Sequence, residues 1–368
     1  MKIFHYRDIA PQIFNLLVRR RFRFQFELIP YEATGLSCRK IANLFLAGLN
    51  QYVLPRRPLG RPVFAQVEPA NICNLSCPLC LTTSVTPSRR AAVLPFETFR
   101  TFIDELGDYL LLIVLWNWGE PFLNPDLGRM IAYARARGIL THCSTNANMR
   151  LDDAQIRELV ASGLDTLIVG VDGACETTYQ KYRQGGTLAA VTDNIRRILD
   201  TRRRLGADRP RLNLRFVVMR HNESELPMVE AMARELGVDF LTLKTVDMPA
   251  IHGADVDARW APDDARYQRY EYETGSRRRR TRAFHCVRPW KRVTLQAGGE
   301  VVACEYDYRN DAAFGTLSPG GSVTAIWKGE AAARFRGAFH HGDNESPFCR
   351  ACTLRDRVAE DCTVAQVF

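Results

Sequence analysis

Asn71-Ile-Cys-Asn-Leu-Ser-Cys-Pro-Leu-Cys80 carries three cysteines at the spacing C-x3-C-x2-C. Three thiolates so spaced can hold three corners of a cubane [4Fe-4S] cluster and leave the fourth iron without a protein ligand. The run follows an apolar strand, Pro62-Val-Phe-Ala-Gln-Val-Glu-Pro69, and so falls on the loop at that strand's carboxyl end, where α/β barrels keep their sites. Structural zinc is the competing use of clustered cysteines. It draws four ligands from paired CxxC-like motifs or from Cys with His, and no His lies within forty residues of Cys73 or Cys80.

Beyond this loop the chain alternates strand and helix. Apolar runs such as Leu-Leu-Ile-Val-Leu-Trp-Asn at 111–117 and Asp-Thr-Leu-Ile-Val-Gly-Val at 165–171 read as strands. Others are expected at 63–68, 139–144, 211–219 and 238–245, with helices near 96–107, 126–137, 152–162, 187–205 and 224–236. Near-continuous Val, Ile and Leu runs joined by helices predict a parallel sheet covered by helices. Six such units are too few for a closed eight-unit barrel, which needs more chain; this α/β pattern fits the open, partial (β/α)6 barrel of the family that the motifs below resemble.

The motifs after the next strands, together with the cysteine run, resemble the radical S-adenosylmethionine (radical SAM) superfamily. Trp118-Gly-Glu-Pro121 is similar to its GGEP motif, with Trp118 in place of the first glycine, and Cys143-Ser-Thr-Asn-Ala147 is similar to its ribose-binding segment. The resemblance implies SAM on the open iron and reductive cleavage to a 5'-deoxyadenosyl radical that takes hydrogen from a substrate. It also implies that Glu120 meets the methionine amino group, that Ser144 and Asn146 bind ribose hydroxyls and the methionine carboxylate, and that Leu79, at a position commonly aromatic, packs on adenine. Helix capping is the alternative use of Ser144 and Asn146. Val169-Gly-Val-Asp-Gly-Ala-Cys-Glu-Thr-Thr-Tyr-Gln-Lys-Tyr-Arg-Gln-Gly-Gly186 resembles the SPASM and twitch subgroup, with Gly170 where that subgroup often has Ser. Asp172 and Arg183 are thereby implied as polar site groups, Arg183 near the methionine carboxylate.

A second cysteine set follows. Cys286, Gly299 and Cys304 are spaced C-x12-G-x4-C, and after forty-four intervening residues Cys349 and Cys352 form a CxxC. Between the first two, Arg292 to Ala303 reads as a β-hairpin turning at Gly298-Gly299. The pattern resembles the twitch domain, a shortened SPASM domain, with a spacing like that of the deoxy-scyllo-inosamine dehydrogenase type. It implies one auxiliary [4Fe-4S] cluster on Cys286, Cys304, Cys349 and Cys352, against structural zinc as the alternative. Asp307, in Cys304-Glu-Tyr-Asp307, matches an Asp of related maturases and is the expected base; a solvated loop acid is the other reading. Cys362 is left over as a non-ligand. Cys38, Cys143 and Cys175 lack spaced partners and read as buried or incidental thiols.

Composition suits an enzyme. The chain has 368 residues, 46% apolar and 25% charged, enough for a large core. Eleven cysteines without a secretory segment predict a reducing, cytoplasmic setting. Charge is uneven: residues 1–61 carry eleven Lys and Arg against three acids, a net +8 of the chain's +9. Two runs there, Ile9 to Val18 and Ile41 to Leu49, have helical patterns, and neither reaches the ~20 apolar residues of a membrane span. The segment is expected to cap the barrel, with peripheral contact to an anionic membrane or an acidic partner as the alternative. Expected domains are a basic helical segment (1–61), the barrel (62–246), a linker (247–282) containing the basic run Arg277 to Arg282, and the auxiliary domain (283–368).

The resulting expectation is a radical SAM oxidoreductase with two [4Fe-4S] clusters and SAM, acting on a small polyol, sugar or amino-sugar. It would be fed by a one-electron reductant of flavodoxin or ferredoxin type and would bind no nucleic acid. The alternatives are modification of a peptide or membrane lipid and, outside catalysis, a zinc-stabilised binding protein.

Overall fold

The computed structural model of the protein describes residues 9–84, 89–248, 254–271, 285–339, 344, 346–359 and 362–368. The basic run at 277–282 lies outside the described residues. The chain opens with α1 (Ile9–Leu17), a hairpin of β1 (Phe22–Phe26) and β2 (Ile29–Ala33), and α2 (Cys38–Val53). Strands and helices then alternate through β3 (Phe64–Val67), α3 (Leu81–Ser84), α4 (Phe96–Leu106), β4 (Leu112–Leu115), α5 (Leu127–Ala136), β5 (Leu140–Thr145), α6 (Asp153–Ala161) and β6 (Thr166–Gly170). They continue with α7 (Glu176–Tyr182), α8 (Leu188–Arg204), β7 (Arg211–Val218), α9 (Leu226–Leu236), β8 (Phe240–Thr245) and α10 (Ala254–Trp260). Last come α11 (Arg288–Lys291), β9 (Arg292–Leu295), β10 (Glu300–Val302), β11 (Ala313–Thr316), α12 (Val323–Lys328), α13 (Glu330–Gly337), α14 (Pro347–Arg350) and β12 (Cys362–Val367).

Strands β3 to β8 pair in parallel and in chain order, the six-stranded half of a barrel. Their outward side chains, among them Val67, Leu115, Cys143 and Val169, are buried under α4 to α9, which is why the strands read as continuous apolar runs. The sheet does not end with the barrel. β9 lies parallel to β3, with Phe64 opposite Arg292 and Val67 opposite Leu295, so the C-terminal hairpin continues the same sheet. At the other edge β12 pairs antiparallel with β8. The last eighty residues thus grip both edges of the barrel sheet.

The first sixty residues are not wholly helical. Phe22, Phe24 and Phe26 alternate with exposed residues and, with Ile29 and Tyr31, pack onto the inner face of Phe64, Leu112, Val114, Leu140 and Phe240. The hairpin therefore fills the inside of the half-barrel. Its two turn residues, Glu27 and Leu28, have φ of 49° and 67°, as a two-residue hairpin turn requires. The left-handed cost for non-glycine residues is of order 1 kcal/mol each. Glu27 offsets it: its carboxylate reaches Arg215 at 2.7 Å and Lys244 at 3.1 Å. Burial pushes its pKa up, but those two cations and His142 outweigh burial and hold it well below the usual range.

The expected linker is structured where it is described. Trp260 at the end of α10 and Tyr270 pack with Leu79, Met219, Val246 and Met248 over the barrel's carboxyl end, and Tyr270 bridges to Arg357.

Candidate active site

Cys73, Cys77 and Cys80 sit where β3 hands over to α3. The loop closes as a helical turn, Cys80 N donating to Cys77 O at 3.0 Å, and is tied to the segment after α7 by Ser76 N donating to Gln184 O at 2.9 Å. Burial pushes the Cys73 thiol up to about 11 and raises Cys77 also, where the Arg183 guanidinium opposes it. Thiols whose charges repel one another need positive charge and N–H donors to ionise. Two donors are present at Cys73 Sγ: Leu75 N at 3.4 Å and Asn146 Nδ2 at 3.6 Å. This thiol-rich turn fits a cluster ligand set.

Glu120 stands beside it, almost fully buried. One carboxylate oxygen accepts from Thr145 Oγ1 at 2.8 Å and Phe122 N at 3.1 Å, the other from Asn146 N at 2.8 Å. Burial raises its pKa against the pull of these donors. The preceding Gly119 has φ of +104°, and a Cβ there would come within 2.4 Å of Ala70 O, so the glycine is obligatory. Asn146 also donates to Asn74 Oδ1 at 3.0 Å. Thr145, which the sequence reading passed over, is the hydroxyl that fixes Glu120. Ser144 is half-buried and takes no part in this network.

Asp172 is fully buried, holding Arg183 Nε at 2.5 Å and Val217 N at 2.8 Å. Arg183 crosses directly over Gly170, where a Cβ would lie 2.4 Å from its Nη2. Cys73, Cys77, Cys80, Glu120, Asn146, Asp172 and Arg183 are thus linked through contacts and mutual charge effects into one neighbourhood.

A second hub was not anticipated. Glu68, at the end of β3, has no exposed surface; it pairs with Arg89 and accepts from Trp118 N at 3.2 Å and Ala297 N at 3.1 Å. Trp118 Nε1 donates to Glu305 O at 2.9 Å, and its ring meets Tyr308 edge-on. The residue that departs from a glycine motif therefore braces the barrel against the C-terminal hairpin.

In the second cysteine set the Cys304 thiol is pushed up to about 11 and Cys352 to about 12, by burial first and then by the neighbouring thiols, Cys286 included. Cys349 and Cys352 share one turn, Cys352 N donating to Cys349 O at 3.2 Å. Arg288 and Arg292 both reach Glu305 beside these sulfurs, leaving an excess of buried positive charge that thiolates would offset. Among the described residues no group of three or more His, Cys, Asp or Glu side chains is placed to hold a single metal ion. Cys362, on β12, is buried opposite Lys244. Cys143 is buried, while Cys38 and Cys175 are exposed.

One cavity of about 710 Å³ spans the two sets. Leu79, Cys80 and Tyr182 border it on the barrel side, Cys352, Tyr306 and Tyr308 on the other, and the hairpin turn at Glu27 and Leu28 from within. Asp307 does not reach it. The expected base is fully buried, its oxygens accepting from Asp311 N at 2.8 Å and Ala312 N at 3.0 Å. Burial pushes its pKa up to about 6, yet the carboxylate anchors its own turn. Asp247, Glu305 and Asp311 are the acids that line this end of the cavity.

Comparison with known proteins agrees with this arrangement. A Radical SAM superfamily model matches residues 67–229 and an iron-sulfur cluster-binding (SPASM) domain model matches 286–353, enclosing the two cysteine sets. PqqA peptide cyclase of Gluconobacter oxydans is 29% identical over 176 residues, 48% of this chain and 47% of the relative. Mycofactocin maturase MftC of Mycobacterium tuberculosis is 24% identical over 332 residues, 85% of this chain and 81% of the relative. The chain spans about half the length of several of the curated relatives it matches. Among solved structures, Streptococcus suis SuiB bound to precursor peptide SuiA superposes with a TM-score of 0.56 at 12% identity, covering 85% of this chain and 74% of that one, a likeness of fold.

Proposed function

Because the chain belongs to the radical SAM superfamily and carries a SPASM-type iron-sulfur domain, we propose that it is a peptide-modifying enzyme of that superfamily. Its cofactors are SAM and [4Fe-4S] clusters. The observation that carries the reading is the single cavity with Cys80 in one wall and Cys352 in the other, which gives substrate access to both cysteine sets. The relatives named as a peptide cyclase and a maturase favour a peptide over the small polyol or amino-sugar expected from cysteine spacing.

With SAM bound at the first cluster, reductive cleavage supplies a hydrogen-abstracting radical; the electron would come from a flavodoxin- or ferredoxin-type donor. The chain's part is to bind and orient. Cys73, Cys77 and Cys80 would hold the first cluster, and Cys286, Cys304, Cys349 and Cys352 the second. Glu120 and Asn146 offer acceptor and donor groups to the amino acid moiety of SAM, Arg183 offers a guanidinium to its carboxylate, and Leu79 offers an apolar wall to its adenine. Phe26 and Leu28 give the cavity apolar walls, and Trp260 and Tyr270 pack behind its lining residues Leu79 and Val246.

Formation of 5'-deoxyadenosine by the anaerobically reconstituted enzyme tests this. Peptide-containing fractions should raise it above the uncoupled background, and Cys77→Ala should abolish it. Stimulation by polyols alone would return the reading to an amino-sugar oxidation.

A further inference from the structure

Helix α2 exposes an unusually apolar face for a helix on a water-facing surface. Lys40, Asn43 and Asn50 point inward and are buried beside Ile41 and Ala47. Asn43 bonds the backbone N and O of Arg61 at 2.7 and 3.1 Å, and Asn50 Oδ1 accepts from Leu59 N at 2.9 Å, so the carboxamides hold down the connection to the barrel. Outward stand Phe45, Leu46, Leu49, Tyr52 and Val53, 49, 42, 46, 88 and 59% exposed. Their spacing is that of one helical stripe, and the ordinary surface helix shows the reverse.

Helix α1 carries exposed apolar residues of its own, Phe14 and Leu17, 52 and 55% exposed. The end of α1 and the start of α2 adjoin, since Arg20 reaches Cys38 Sγ at 3.9 Å and its carbonyl accepts from Leu36 N at 3.1 Å. Neither helix contains an Asp or Glu. Arg19 and Arg20, just past the end of α1, enter no ion pair among the described residues. An apolar patch of this extent marks an interaction site, and its rim selects a negatively charged partner.

We propose that α1 and α2 form a docking face for an anionic lipid bilayer. The apolar stripe enters the boundary between headgroups and acyl chains, and the arginines meet the anionic headgroups. No described helix is long and apolar enough to cross a membrane, so the helices lie along the surface. A second copy of the chain fits less well, because a two-fold contact sets a patch against itself and would bring the unpaired arginines together.

Flotation of the reconstituted holoenzyme with phosphatidylglycerol/phosphatidylcholine vesicles, and with phosphatidylcholine alone, tests the proposal. The protein should float with the anionic vesicles, weakly with the neutral ones, and less as salt rises. Phe45→Ser/Leu49→Ser/Tyr52→Ser should cut binding by roughly an order of magnitude or more, with 5'-deoxyadenosine formation unchanged because none of the three lines the cavity. Should that variant misfold, Arg19→Glu/Arg20→Glu, which leaves the stripe intact, should lose the preference for anionic vesicles. Absence of binding to both vesicle types, or binding unaltered by the variants, overturns the proposal. So does a wild-type dimer that the triple serine variant converts to a monomer, which would make the face a contact between copies.

Discussion

Glu68 and Arg89 meet fork to fork, Nη1 to one carboxylate oxygen at 2.8 Å and Nη2 to the other at 2.9 Å, at the seam between the barrel and the C-terminal hairpin. The carboxylate has no exposed surface and also receives Trp118 N and Ala297 N. Arg89 in turn lies 5.5 Å from the Tyr308 ring centroid. One acid thereby joins the loops behind both cysteine sets.

Replacing Glu68 with Gln should therefore destabilise the fold by about 3 kcal/mol, the usual result of stranding one partner of a buried pair. Glu68→Leu/Arg89→Met should recover only part of this, since the two backbone N–H groups still lack an acceptor. Thermal unfolding of the reconstituted proteins reads both; a single variant as stable as wild type would mean that water replaces the carboxylate at the seam.

Gly170 supports a prediction about SAM. A Cβ at this position would lie 2.4 Å from Arg183 Nη2, so Gly170→Ser must push the guanidinium off its place beside Asp172 and Cys77. If Arg183 binds the methionine carboxylate, SAM affinity should fall roughly tenfold, the scale of one charge-assisted hydrogen bond, with the cluster absorbance unchanged. Titration by equilibrium dialysis measures it, and an unaltered Kd removes Arg183 from the SAM site.

Acid should loosen the hairpin inside the barrel. Burial lowers His142 from 6.5 to about 4, so the folded state holds fewer protons than the unfolded chain. This contribution, on the order of 3 kcal/mol, is complete above pH 6.5 and is lost as pH falls toward 4. Glu27, held well below the usual carboxylate range, has the same sign and is lost at lower pH still. Urea midpoints should fall between pH 6.5 and 4, and less steeply in His142→Gln. Equal slopes would assign the acid sensitivity to other groups.

The sequence announced what local pattern encodes. Strands β3 to β8 are short, largely apolar runs bounded by helices, and each fell within a few residues of its expected span. The hairpin at 22–33 was legible too, in Phe22-Arg-Phe-Gln-Phe26, but its alternation lies among arginines that drew the reading toward a helical, solvent-facing segment. Glu68 was not legible. Its partners are Arg89 and two backbone N–H groups, one of them 229 residues away, and no local motif marks such a meeting. Nor could a motif reveal that the N–H groups of Asp311 and Ala312 occupy both oxygens of Asp307, because the turn that aims them forms only on folding. The pairing of β9 with β3 escaped for the same reason, the register joining residues more than two hundred apart.

The division of labour between the cysteine sets gives the last prediction. Cys349 and Cys352 occupy one turn in α14 and just after it, while Cys73, Cys77 and Cys80 lie on the barrel loop, and the cavity separates the two groups. Changing Cys349 and Cys352 to Ala should leave the first set intact, so 5'-deoxyadenosine formation should remain measurable. Iron should fall from about eight to about four per chain, as one of two four-iron clusters is lost. If the second cluster accepts an electron from the substrate, modified product should disappear while cleavage of SAM continues, uncoupled. Metal binding also contributes folding energy in small metal domains, and α11 here packs on α2, with Trp290 Nε1 donating to Pro55 O at 2.7 Å. A circular dichroism and gel-filtration control is therefore part of the experiment. A folded double variant that makes product at the wild-type rate assigns the second cluster a structural role and leaves the first cluster sufficient for a redox-neutral reaction.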